Sequence, residues 1–305
     1  EVLFLERRDG DPAGEPWDGE LWEVLVRGRP RVGEVLALDR PRGAAPRGAT
    51  HGRGDDDWRL RVDERLGEGR WLVRSLARGP VMERLEDVGE TPLPPYITRR
   101  LEDGERYQTV YARVQGSAAA PTAGLHFTAD VDRRLAARGV VVEALTLHVG
   151  LGTFQPVTVA EVEEHELHSE AYALERAAWG RIARARREGR RVIAVGTTMT
   201  RLLETLARDP RCAPGAGHMG PRREGAGSAS GTRGRVIEGR TSLFITPGFE
   251  FKVVGGLLTN FHLPRTSLLA LVMAFCGVEL TRVLYRHAIE RRYRFYSFGD
   301  AMLAL

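Results

Sequence analysis

The chain has 305 residues, 42% of them hydrophobic, enough to bury one large core or two moderate ones. Two cysteines without a spacing pattern, Cys212 and Cys276, argue against a disulfide framework or a cysteine-based zinc site. A net charge of +4 leans towards a polyanionic partner, and the longest apolar run, Leu268 to Cys276, is far short of the roughly 20 residues of a membrane span.

The chain enters a strand-like run at Val2 without a polar lead-in, so an N-terminal region is expected to precede Glu1. Short β-like runs follow at Val2–Glu6, Leu21–Arg27, Glu34–Leu38, Trp58–Val62 and Trp71–Leu76. Stretches such as WEVLVRG and WRLRVDE alternate apolar and polar residues, as half-buried antiparallel strands do. Their spacing predicts a smaller, all-β, barrel-like domain over residues 1–90. Pro41–Asp57 is too polar and glycine-rich to order itself.

The pattern changes at Thr91. The prolines of TPLPPYITRR hold the backbone extended and make a linker into a second domain, residues 91–305. Helices are predicted at Thr128–Arg138, from the TVAE capping box at Thr158–Glu161, and at Glu175–Glu188 and Thr198–Arg208. Strands are predicted at Val140–Val149 and Arg191–Val195. A glycine- and proline-rich insertion at 209–240 is read as a flexible loop. Strands Ser242–Ile245 and Leu257–Phe261, helix Thr266–Phe275 and a last helix from Glu279 complete the series. Alternating strands and helices imply an α/β domain with a mostly parallel sheet and flanking helices, its ligands held beyond the C-terminal strand ends.

The loops at those ends are HVGLGTFQP, GTTMT, TPGFEF and TNFHLPRTS. Gly150, Gly152 and Thr153 of the first, Gly196, Thr197 and Thr198 of the second, and Asn260 of the last are candidate small-ligand positions. Thr197 and Thr198 stand at a helix start, where free N–H groups attract carboxylate or phosphate; helix capping is their structural alternative. His126, His148 and His262 titrate near neutrality and suit proton transfer, or serve as structural donors. Glu170 and Asp300 add carboxylates. HELHSE places His165 and His168 three apart, a weak metal signal without HExxH, so no metal is expected. GxxxxGK[ST] is absent, and the GxGxxG at Gly215–Gly220 falls inside the 209–240 insertion with no predicted strand before it or helix after it, against dinucleotide or nucleoside-triphosphate binding. The C-terminal arginines Arg282, Arg286, Arg291, Arg292 and Arg294 interleave with Tyr293, Phe295, Tyr296 and Phe298. That mixture fits either a surface gripping unpaired nucleic acid or an amphipathic helix with core aromatics.

The strings PLPPYI, ERYQTVYA, AAPTAGLHFT, LTLHVGLGTFQPV, HSE, RVIAVGTT, LFITPGFEFKVV, LLTNFHLP and YRFYSFGDAM, in this order, closely resemble the S-adenosylmethionine:tRNA ribosyltransferase-isomerase family of queuosine biosynthesis. The resemblance implies a cytoplasmic, metal-independent enzyme with a β-barrel domain joined to an α/β domain. It would transfer and isomerise the ribosyl part of S-adenosylmethionine onto 7-aminomethyl-7-deazaguanine in tRNA, giving epoxyqueuosine and releasing adenine and methionine. S-adenosylmethionine would be a consumed substrate, with no permanently bound cofactor. The family's Asn/Asp-Thr-Arg-Val segment is lacking, and its usual Ser-Thr after TNFHLP-x is Thr266-Ser267 here. Under this reading His148 or His126 is the base, His262 or Asp300 assists proton return, Glu170 holds the amine or ribose hydroxyls, and Thr197 and Thr198 receive the methionyl carboxylate. The tRNA anticodon region would dock on the C-terminal arginines and around Arg99, Arg100 and Arg106, with a monomer as the expected state and no membrane contact. The rival readings are a metal-dependent hydrolase using His165 and His168, and a non-catalytic tRNA-binding protein.

Overall fold

The computed structural model describes residues 1–8, 19–38, 58–67, 69–77, 79–94, 96–99, 101, 103–113, 117, 119–148, 170–212 and 236–305. These form two compact units, Glu1–Gly104 and Glu105–Leu305. Thr158–Glu161 of the predicted TVAE helix, His165–Ser169 of HELHSE and residues 213–235 of the insertion lie outside the described residues.

The first unit is a five-stranded antiparallel sheet of β1 (Val2–Arg8), β2 (Leu21–Val26), β3 (Val35–Leu38), β4 (Trp58–Gly67) and β5 (Arg70–Ser75), in the order β1-β2-β5-β4-β3. Alternation sets its inner face: Trp58, Leu60 and Val62 are buried on β4 while Arg59 and Arg61 between them are exposed. Phe4 stacks on Trp58 with ring centroids 5.4 Å apart, and the Trp58 indole N–H donates to Ser75 Oγ at 3.1 Å. The expected barrel is not formed: β1 and β3 are opposite edges of an open sheet among the described residues. A helix the sequence reading did not predict, α1 (Val81–Val88), explains why closure is unnecessary. Its Val81, Met82, Leu85 and Val88 cover the apolar face that a second wall of strands would otherwise bury.

The second unit contains α2 (Ala129–Ala137), β6 (Thr146–His148), β7 (Glu170–Glu175), α3 (Arg176–Arg187), β8 (Ile193–Val195), α4 (Thr197–Leu206), β9 (Val236–Thr241), β10 (Gly256–Asn260), α5 (Ser267–Cys276), α6 (Val278–Glu290) and β11 (Ala301–Ala304). The expected mostly parallel sheet is also corrected. Among the described residues the strands form two three-stranded sheets, β6-β7-β9 and β11-β10-β8, and only β10 with β8 is parallel. The physical reason lies in α3, which carries the chain from β7 in one sheet to β8 in the other. A helix joining two sheets does not impose the parallel pairing that a crossover within one sheet does.

Helix α4 is packed on more than one side. Leu202, Leu203 and Leu206 share a core with Tyr172, Leu174 and Ile237 from one sheet and Ala194 from the other. Its fully buried Glu204 accepts the backbone N–H groups of Lys252, Val253 and Val254, each at 2.9 Å. No single helix among the described residues is long and apolar enough to cross a membrane; α5 and α6 meet at Gly277 with a bend of 113°.

Candidate functional site

Three loops converge where β8 and β10 end. β8 runs into Gly196, whose φ of +93° suits glycine and turns the chain directly into α4. The Gly196 N–H donates to Leu258 O at 2.8 Å, tying the helix start to β10. No side chain caps α4, so its first turn keeps the free N–H groups that attract anions, with Thr197 buried and Thr198 half-buried beside them. The third piece is a short 3-10 turn, Thr122–His126, held by the Gly124 N–H on Pro121 O at 2.7 Å. Its Ala123 side chain lies against Gly196, where a Cβ would stand 3.6 Å away.

The turn delivers His126 to the end of β10, where its Nε2 is 3.0 Å from Asn260 Nδ2. With the amide donating, Nε2 is the acceptor and the ring proton sits on Nδ1. Asn260 is only 2% exposed, and its Oδ1 is buried without a hydrogen-bond partner. A buried amide oxygen left unmet is costly, and a ligand N–H or O–H would satisfy it.

Beyond Asn260 the chain turns through Phe261 to His262. Thr259 Oγ1 is 2.7 Å from His262 Nε2, and the His262 N–H donates to Tyr285 Oη at 2.9 Å. Loss of solvent lowers the imidazole pKa to about 4 and raises the Tyr285 phenol to about 12. At pH 7 His262 is therefore neutral at rest. The buried Phe261 packs against Tyr285, Tyr293 and Phe295, while Phe295 and Tyr296 are half-buried and Tyr293 and Phe298 exposed. Arg282, Arg286, Arg291, Arg292 and Arg294 are all exposed. Asp300 acts within its own turn. Its Oδ2 accepts the Arg294 N–H at 2.7 Å and closes the turn before β11, whose Ala301 pairs with Asn260.

On the neighbouring sheet, Glu170 begins β7 and is 3% exposed. Its Oε2 accepts from Arg201 Nη1 at 2.8 Å, and Arg201 Nε donates to Leu243 O at 3.0 Å. The sequence reading missed Arg201; the available signal was a charged pair, Arg201 and Glu204, set among the apolar positions of TRLLETL. The His148 backbone pairs with Ala171 at the end of β6. The His148 side chain, together with Gly150, Gly152, Thr153, His165 and His168, lies outside the described residues. Among the described residues no group of three or more His, Cys, Asp or Glu could hold a metal ion.

A family model described as "Queuosine biosynthesis protein" matches residues 1–304. An S-adenosylmethionine:tRNA ribosyltransferase-isomerase from Moorella thermoacetica is 46% identical over 305 residues, covering 100% of this chain and 77% of that protein. The protein of the same name from Staphylococcus epidermidis (strain ATCC 12228 / FDA PCI 1200) is 42% identical, over 94% of this chain and 74% of its own length. The chain belongs to the S-adenosylmethionine:tRNA ribosyltransferase-isomerase family. A solved structure of an S-adenosylmethionine tRNA ribosyltransferase from Thermotoga maritima is 28% identical, covering 94% of this chain and 75% of that one, with a TM-score of 0.45. Three of the strings that carry the family resemblance, PTAGLH, GTT and TNFH, are the ones that meet around Gly196 and Asn260.

Proposed function

We propose that this chain transfers the ribosyl group of S-adenosylmethionine, with isomerisation, onto 7-aminomethyl-7-deazaguanine in tRNA, giving epoxyqueuosine and releasing adenine and methionine. The observation that carries the reading is the family match along essentially the whole chain. The convergence of His126, Asn260 and the α4 start supports a ligand site at that place.

The positive sulfur of the substrate acidifies its C5′ hydrogens, and a general base removes one to start the rearrangement. Two histidines are the candidates, His126 beside Asn260 and His148 at the end of β6. The open first turn of α4, with Thr197 and Thr198, receives the methionyl carboxylate. Glu170 holds the amine, and the unmet Asn260 Oδ1 takes a donor hydrogen of the nucleoside. With His262 neutral, its role is to fix the turn after β10 through Thr259 and Tyr285. The exposed arginines of α6 and the segment after it hold the tRNA backbone near the anticodon, where the unpaired base enters without breaking a duplex.

The test is adenine release from S-adenosylmethionine in the presence of precursor-containing tRNA. Activity in the unmodified protein supports the reading; tRNA binding without adenine release would instead support the non-catalytic alternative. His126→Ala and His148→Ala then identify the base, which on replacement should lower the single-turnover rate about 10²-fold or more. A histidine whose loss leaves that rate unchanged is not the base.

A further inference from the structure

Arg201 is a cation with its charge met and its hydrogen bonding unfinished. It is 5% exposed, Nη1 and Nε are taken by Glu170 and Leu243, and Nη2 is buried with no partner. The other charged group on this helix, Glu204, does not compete for it. Glu204 is committed to three backbone N–H groups and to Arg208. Arg201 also stands one turn after Thr197, on the same face of α4, and helical side chains lean back towards the helix start. What the position lacks is an acceptor oxygen, beside a pair that is neutral overall.

Resting on the ribosyltransferase reading, we propose that Arg201 is a specificity residue that binds the carboxylate of the methionyl end of S-adenosylmethionine through Nη2. A zwitterionic α-amino acid fits here for an electrostatic reason. Adding it to the Arg201–Glu170 pair leaves no net charge in a low-dielectric interior, whereas a lone anion would. The planar guanidinium serves Glu170 and a second carboxylate together, which a lysine ammonium does not do in the same geometry. The carboxylate thus lies between the open N–H groups of α4 and Nη2.

The experiment compares binding of S-adenosylmethionine with that of its decarboxylated form, which keeps the nucleoside, the sulfonium and the amine. The unmodified protein should prefer S-adenosylmethionine by at least about tenfold, the scale of a charge-assisted hydrogen bond. Arg201→Lys, which keeps Glu170 paired, should bring the two ligands within about threefold of each other. If that variant does not fold, the neutral double variant Glu170→Gln/Arg201→Gln should do the same, because both ligands carry the amine that Glu170 would hold. Variants that weaken both ligands equally and keep the original ratio would overturn the assignment, as would an unmodified protein indifferent to the carboxylate. Failure of the unmodified protein to bind S-adenosylmethionine at all would sink the ribosyltransferase reading as well.

Discussion

Acidification from pH 7 to pH 4 should remove about 3 kcal/mol of stability through His262 alone. Desolvation holds its folded pKa at about 4 against an ordinary 6.5, with Nε2 engaged by Thr259. Because the folded value is the lower one, the unfolded chain takes up a proton first as the pH falls. The stabilisation is whole above about pH 6.5 and is lost progressively down to about pH 4. At about 1.4 kcal/mol per pH unit, that window gives about 3 kcal/mol, against a typical total of roughly 5–15 kcal/mol. Carboxylates titrate in the lower part of the same range, so the assay pairs the unmodified protein with His262→Gln. Urea unfolding at pH 7, 6, 5 and 4 should show the advantage of the unmodified protein shrinking by about 3 kcal/mol. Parallel losses in the two proteins would refute a buried neutral imidazole at this position.

Gly196→Ala places a side chain at φ +93° and should cost about 1–3 kcal/mol in chemical denaturation, with a larger fractional loss of adenine release because α4 starts there. An unaltered denaturation midpoint would mean that the turn relaxes without strain. Replacing Arg286, Arg291 and Arg292 together by alanine should weaken tRNA binding and flatten its dependence on log salt concentration by about 0.7–0.9 per lost phosphate contact. An unchanged slope would place the docking surface elsewhere.

Local structure was more legible in the sequence than pairing was. Trp58, Leu60 and Val62 announced β4 by alternation, and the helix expected at Thr128–Arg138 is α2, Ala129–Ala137, with the Thr128 hydroxyl accepting from Val131 N–H at its start. The helix at Thr197–Leu206 was read to within two residues at each end. Which strands would neighbour one another was not legible, because β7, α3 and β8 look alike in sequence whether the helix returns to its own sheet or crosses to another. Ala301–Ala304 went unread because four residues of small and apolar side chains acquire strand character only through pairing with β10. At the site, motif strings gave His126, Gly196, Thr197 and Asn260, and the structure gathered them. Arg201 was passed over because a buried arginine is visible only once Glu170, far away in sequence, is seen beside it.

The three backbone amides gripped by Glu204 have a bearing on how a substrate is received. That carboxylate nails the middle of α4 to the 252–254 turn, so the helix cannot pivot to meet an incoming molecule. Its opening turn is already set before anything arrives, and little ordering entropy is left for that element to lose. Any rearrangement that accompanies binding must then be made by the parts around α4, with this helix as the fixed post they move against.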